Sequence, residues 1–354
     1  IIIIIMNHIK IRENIVYQLC VSICLFFYSC NTSPEIFLTR YYLGIPGTDN
    51  IIEANSDDQV SSQEISVKTK EIPKSIIFII ADGLGIGQFT LMFYDNPDFA
   101  PADFTHTGLI TVHPSGKRKV PDSANTATSM ATGVKTHRGG IGVDENDQPV
   151  KTVLEWAEDK GMSTGLVSTS TIVHATPASF AAHIDERSKY KEIALQMAKS
   201  GVDVMLGGGR NNWEGEPLEI FRNRGGFTFT EFDPSIDTEK QVLGLFADNH
   251  LGSAYENREV STTEMTRLAV KLLSKNNNGF FLMIEEAQVD FAGHANNSEY
   301  MSAELASLNS VLRFCLDYQK EHPNTLILFT ADHETGGMAV EDTNEGALDI
   351  KFTT

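Results

Sequence analysis

Three apolar runs in this sequence stop at groups that bind metals or move protons. Ser75-Ile76-Ile77-Phe78-Ile79-Ile80-Ala81 ends at Asp82. Phe280 to Ile284 ends at Glu285, with Asp290 and His294 close behind. Thr325 to Thr330 leads through Ala331 to Asp332-His333. A single acid after a strand is ordinarily a turn or a helix cap. Several strands ending this way point instead to oxygen and nitrogen donors gathered at one edge, the donor types that hold zinc and magnesium. Asp290-x-x-x-His294 spaces a carboxylate and an imidazole one helical turn apart, which suits zinc. Alone that pair is weak evidence. So is Asp332-His333, whose two side chains need an irregular loop before they converge.

Pro121-Asp122-Ser123-Ala124-Asn125-Thr126-Ala127-Thr128-Ser129-Met130-Ala131-Thr132-Gly133 is a run of small residues. It reads as a tightly packed helix with Asp122-Ser123 at its N-terminus, where free N–H groups and the helix dipole favour an anion. A serine there is a nucleophile if something lowers its pKa. No histidine base adjoins it in sequence, so a metal is the candidate activator. His174-Ala175-Thr176-Pro177-Ala178 follows a further strand-like run, Ser163 to Val167, and Thr176 offers a hydroxyl to a hard cation. Arg187 has the planar fork that grips a phosphate, although an isolated arginine is ordinarily a solvated surface group.

The elements that must position these groups alternate along the chain. Strand-like runs are interleaved with helical stretches at Val150 to Lys160, near Ser188 to Lys199, from the Ser261-x-x-Glu264 capping box through Leu272, and roughly from Ser298 to Gln319. Such alternation predicts an α/β fold, a three-layer α/β/α sandwich around a mostly parallel central sheet. Ligands bind such sheets at the carboxyl ends of the strands, where the acids fall. Residues 211–260 are less regular and read as an insertion at the sheet edge. No internal repeat is present.

The 354 residues are 41% hydrophobic and 21% charged, which excludes a disordered chain and a polytopic membrane protein. Asp and Glu number 47 against 28 Lys and Arg, a net charge of −19. That sign argues against nucleic acid as a partner, and an anionic substrate needs a local attraction such as bound cations. The excess of acids lies in residues 73–354 rather than in the flanking sequence. After Met6 come Lys10 and Arg12, then an apolar run from Ile15 to Tyr28. The run is shorter than the roughly 20 residues of a membrane span and has the length of a secretory signal core. Ser29-Cys30 at its end resembles a bacterial lipoprotein cleavage site. Residues 1–30 are therefore read as a signal or lipoprotein segment, with Ile1 to Ile5 upstream of a start at Met6. Residues 31–72 are read as a tether and 73–354 as the catalytic domain. Cys20, Cys24 and Cys30 lie in the signal, leaving Cys315 as a buried small hydrophobe with no disulfide framework.

Taken together, these residues resemble the alkaline phosphatase family, in order from about Lys74 to Gly337. The specific pieces are Pro121-Asp122-Ser123-Ala124 with its trailing Thr-Gly, His174-Ala175-Thr176-Pro177-Ala178 with Arg187, Glu285 to His294, and Thr330-Ala331-Asp332-His333-Glu334-Thr335-Gly336-Gly337. The resemblance implies a phosphomonoesterase working through a phosphoserine on Ser123. Arg187 would clamp the phosphate with Asp122 as its orienting partner, and His174 would lie beside the substrate. Asp290 and His294 would hold a first zinc. Asp82, Asp332 and His333 would hold a second, and Asp82, Thr176 and Glu285 a magnesium. Small phosphorylated substrates, dimerisation and an exported location, periplasmic or anchored to a membrane by lipid, are implied as well. Two positions depart from some relatives, His174 in place of Asp and Phe291 in place of a basic or other aromatic residue. The family's first zinc takes a further histidine from a His-Thr-Gly segment, and none follows His333 here, so the sequence is expected to be incomplete on that side. The alternatives are a related metallo-phosphodiesterase or sulfatase, and a catalytically silent metal- or phosphate-binding lipoprotein.

Overall fold

The computed structural model describes residues 2–6, 73–256 and 258–353. Most of the expected signal segment and the whole tether lie outside the described residues. The strands are β1 (Ile2–Met6), β2 (Ser75–Ala81), β3 (His106–Ile110), β4 (Ser163–Thr171), β5 (Val204–Gly208), β6 (Phe227–Phe229), β7 (Val242–Leu245), β8 (Phe280–Glu286), β9 (Thr325–Ala331), β10 (Ala339–Asp342) and β11 (Leu348–Lys351). The helices are α1 (Ile86–Asp95), α2 (Ser123–Thr132), α3 (Val153–Asp159), α4 (Ala175–Ala181), α5 (Tyr190–Lys199), α6 (Arg210–Trp213), α7 (Glu216–Asn223), α8 (Thr262–Leu273), α9 (Gln288–His294) and α10 (Ser298–Glu321).

One nine-stranded sheet has the order β3-β1-β9-β2-β8-β4-β5-β7-β6. From β9 to β6 every neighbouring pair is parallel, which makes the mostly parallel sheet of the sequence reading. Every residue of β2, β8 and β9 is buried, as a strand covered on both faces requires. Alternate residues of β2 serve two cores. Ile77 and Ile79 pack in one with Met265 and Leu268 of α8 and Leu305 and Leu308 of α10. Ile76, Phe78 and Ile80 pack in the other with Ala124 and Ala127 of α2, Ala178 of α4 and Ile193 of α5. The strand period of two thus feeds helices on opposite faces, giving the α/β/α sandwich.

Two regions differ from the sequence reading. Residues 211–260 hold α7, β6 and β7, so this stretch lengthens the parallel sheet as well as decorating its edge. Ile2–Met6, read as leading into an export signal, forms β1 and pairs antiparallel with both β9 and β3. A run of isoleucines satisfies the β-branched preference of a strand as readily as the apolarity of a signal. Cys315 is buried and free, as expected. Among the described residues no helix is long and apolar enough to cross a membrane.

Register places the chemistry. Ile80 of β2 lies level with Glu285 of β8 on one side and with Thr330 of β9 on the other. Ser168 of β4 is level with Glu285 in turn. Asp82, Glu285 and Asp332 therefore emerge from three adjacent strands at the same carboxyl edge.

Candidate catalytic and metal-binding site

Gly83 makes the turn after Asp82 possible. Its φ is +80°, and a Cβ there would lie 2.7 Å from the Cα of Asp290. Only glycine lets β2 leave the sheet this close to α9. The Gly83 N–H donates to Asp332 Oδ1 at 3.1 Å, and the His333 N–H donates to the same oxygen at 2.7 Å. Asp332 Oδ2 is left 3.4 Å from His333 Nε2.

Asp122 caps α2, accepting from the Asn125 N–H at 3.1 Å, while Asn125 Oδ1 accepts from the Asp122 N–H at 2.8 Å. This reciprocal cap sets Ser123 as the first helical residue. Ser123 Oγ donates to Asp82 Oδ2 at 3.3 Å and lies 3.4 Å from His333 Nε2. The other nitrogen of His333, Nδ1, faces the Glu334 carbonyl at 3.3 Å and Thr335 Oγ1 at 3.2 Å. Thr335 Oγ1 donates its own proton to Asp290 Oδ1. A carbonyl only accepts, so Nδ1 carries the proton, and the Nε2 lone pair faces Ser123 and the carboxylates. Ligand atoms of Asp82, Asp332 and His333 all fall within 4.8 Å of one another.

A second group shares Asp82. Its ligand atoms and those of His174 and Glu285 also lie within 4.8 Å of one another. Glu285 Oε2 accepts from Ser168 Oγ and, at 3.2 Å, from Ser170 Oγ. Glu285 Oε1, Asp82 Oδ1, Thr176 Oγ1 and His174 Nδ1 are buried with no hydrogen-bond partner. Orphaned buried polar atoms each cost about 1–3 kcal/mol, and the three oxygens fit a cation that would satisfy them, whereas His174 Nδ1 carries the ring proton because its Nε2 accepts from Arg187. Burial, aided by Asp332, Asp290 and Glu285, holds the Asp82 carboxyl well above the ordinary range. Burial pushes Glu285 up to about 7, against the hydrogen bond from Ser168. A bound cation reverses both effects by favouring the carboxylates.

Arg187 lies between two partners. Its Nη1 donates to Asp122 Oδ2 at 3.3 Å, and its Nη2 donates to His174 Nε2 at 2.9 Å. Burial and the adjacent Arg187 hold His174 well below the usual histidine range, so it is neutral and accepts. Asp290 Oδ1 and His294 Nε2 are 3.6 Å apart on α9, and the His294 side chain is 74% exposed. Asp290, buried, is linked to His333 through Thr335, whose hydroxyl donates to Asp290 Oδ1 and lies 3.2 Å from His333 Nδ1. All eleven residues singled out in the sequence thus fall in one continuous region.

Several neighbours carry no local sequence signal. Ser168 and Ser170 meet Glu285 only because β4 and β8 are in register. His250 accepts from the Thr171 N–H at 3.1 Å, and its ring packs edge-on against Phe291 and His174. Glu334 follows the Asp332-His333 pair but turns to other partners. It accepts from the Gly337 N–H at 2.8 Å and from Gln88 Nε2 at 3.3 Å, closing a turn.

Comparison with known proteins gives the same reading. The family model described as alkaline phosphatase matches residues 73–227 and 233–350. Alkaline phosphatase 3 of Bacillus subtilis is 35% identical over 309 residues, covering 82% of this chain and 67% of that protein. Alkaline phosphatase 4 of the same organism is 35% identical over 288 residues, with 75% of this chain and 62% of the relative covered. The chain thus spans about two thirds of the length of these relatives. The alkaline phosphatase of the Antarctic bacterium TAB5 superposes with a TM-score of 0.75 at 34% identity, covering 80% of this chain and 88% of that one. A TAB5 mutant structure, 33% identical, is described with Mg bound in its M3 site. Matches of this length and identity show that the chain belongs to the alkaline phosphatase family.

Proposed function

We propose that the protein hydrolyses phosphate monoesters through a phosphoserine on Ser123. The observation that carries this reading is Ser123 at the N-terminus of α2, set between Asp82 and His333 and faced by the Arg187–Asp122 pair. The α2 N-terminus and the guanidinium give an incoming phosphate two independent attractions. Asp122 and His174 hold that guanidinium from two sides, so little freedom is lost when it grips the equatorial oxygens. Ser123 attacks phosphorus in line, forming the Oγ–P bond as the ester P–O bond breaks and the alcohol departs. Water then attacks from the opposite side, the Oγ–P bond breaks, and orthophosphate leaves. Two inversions give net retention at phosphorus.

The ligand sets for this reading are Asp290 with His294 for one zinc, Asp82 with Asp332 and His333 for the other, and Asp82 with Thr176 and Glu285 for magnesium. When bound, the metals supply charge neutralisation, a lowered serine pKa and stabilisation of the attacking and leaving oxygens. In a chelator-treated and metal-restored comparison, wild type is expected to release phosphate from an aryl phosphate only when zinc and magnesium are present. Ser123→Ala is expected to release none in either state. Equal turnover by Ser123→Ala and wild type would refute the assignment. We further propose an exported, lipid-anchored protein, on the Lys10 to Cys30 pattern, and a homodimer, on family membership alone.

A further inference from the structure

The chain carries its densest run of cations next to the serine. Lys117-Arg118-Lys119 lies in a protein of net charge −19, and Lys119 stands four residues before Ser123. All three side chains are exposed. None forms an ion pair with an acid among the described residues, although Lys and Arg elsewhere in the molecule commonly do. Surface lysines in so acidic a chain ordinarily find carboxylates. A run of three that does not is a concentrated positive field.

The loop that bears this run is tied along α2. Asn125 Nδ2, in the first turn of α2, donates to the Val112 carbonyl at 3.3 Å. The Ser115 N–H donates to the Thr136 carbonyl at 2.8 Å, beyond the far end of the helix. Residues 116–120 then return to Pro121 and the helix N-terminus. His113, next to Val112, is approached by Lys135 Nζ at 2.7 Å. Burial first, and then Lys135 and Lys119, hold its pKa below the ordinary value, and no acid acts on it. Lys119 and Lys135 thus both act on His113, in the loop that is tied at Val112 to the first turn of α2. Four residues of extended chain span at most about 14 Å, which bounds the distance between the Lys119 and Ser123 Cα atoms. Charge at that range is only partly screened, since the Debye length is about 8–10 Å at physiological salt.

We propose that Lys117, Arg118 and Lys119 form a cationic rim that selects monoesters whose leaving group carries a second anionic group, such as a second phosphate. This rests on the phosphomonoesterase reading and names its preferred substrate class. The phosphate being cleaved is held by Arg187 and the metal ligands. The rim acts on the remainder of the molecule, to which a pocket that grips phosphate alone is indifferent. Anion steering by such a field raises capture rates and falls steeply with salt.

The test compares wild type with the triple variant Lys117→Gln, Arg118→Gln, Lys119→Gln on two substrates, fructose 1,6-bisphosphate and phenyl phosphate. The expected result is a fall of about tenfold in the bisphosphate-to-phenyl ratio of kcat/KM at low salt, with the difference vanishing near 0.5 M salt. An unchanged ratio, including an equal fall on both substrates, would overturn the rim. A second measurement separates this from the catalytic reading. Calorimetric binding of fructose 1,6-bisphosphate to Ser123→Ala protein is expected to weaken at least about fivefold when the three charges are removed, with phenyl phosphate binding unchanged. If wild type turns over neither substrate yet this difference in binding persists, the monoesterase reading fails and the rim stands. If binding is unaffected by the three substitutions, the rim fails.

Discussion

At the scale of residues, the arrangement is a set of acids that repel one another in the absence of cations. Asp82 sits between Asp332 and Glu285 and contributes to both candidate metal groups. What fixes the directions of the ligands is mostly hydrogen bonding from less conspicuous neighbours. Thr335 is the clearest. It donates to Asp290 and accepts from His333, so one hydroxyl orients a residue of each proposed zinc set. Thr335→Val keeps the shape and removes the hydroxyl. The expected outcome is zinc retention weakened about tenfold or more in chelator competition, with Thr335→Ser restoring it. A valine variant that holds zinc as tightly as wild type would remove Thr335 from this role.

At the scale of elements, the strand ends were legible and their neighbours were not. β2, β8 and β9 are continuous apolar runs because both faces are covered, and their abrupt polar ends mark the ligand edge directly. Asp122 as a helix start was legible for the same local reason, a capping residue before a small-residue helix. Contacts set by register between distant segments leave no such mark, so Ser168, Ser170, Thr335 and His250 were missed. β1 was not expected, because Ile1 to Ile5 were read as lying upstream of a start at Met6. Beneath the site, β8 is anchored by a network that sequence spacing also hides. Arg258 pairs with Glu286 at 2.7 Å and with Glu304, all three side chains being almost fully buried. The Glu286 carbonyl in turn accepts from the Asp82 N–H at 3.2 Å. Arg258→Met leaves two carboxylates buried without their cation and is expected to lower unfolding stability by about 3–5 kcal/mol in urea titration. A loss below about 1 kcal/mol would mean that the network contributes little to holding β8.

At the scale of the whole molecule, the acidity and the metal dependence are linked. Burial raises the folded-state pKa of Asp82 and brings Glu285 to about 7, above the values that these groups have in an unfolded chain. Between the unfolded and folded pKa values the native state binds more protons, so metal-free stability falls as pH rises toward about 7, and levels off above it for Glu285. Metal binding needs the deprotonated ligands, so the stabilisation from added zinc and magnesium is expected to grow over the same window. Thermal unfolding at pH 6 and pH 8, with and without the metals, should show metal-free protein more stable at the lower pH and the larger metal-induced rise in Tm at the higher. An opposite ordering would contradict the burial of unpaired carboxylates at the strand ends. The net charge of −19 thus reads differently once the fold is known. On the proposed function, some of those acids form a cation-holding cluster, and the proposed anion-attracting groups are Arg187, the α2 N-terminus and the basic run before Ser123.

The most direct test of the central claim is to quench turnover of a phosphorus-32-labelled monoester in acid and locate the label by peptide mass spectrometry. The expected result is a single phosphoryl group on Ser123, absent from Ser123→Ala. Label on another residue, or turnover by wild type with no trapped label under conditions where the second step is slow, would contradict it.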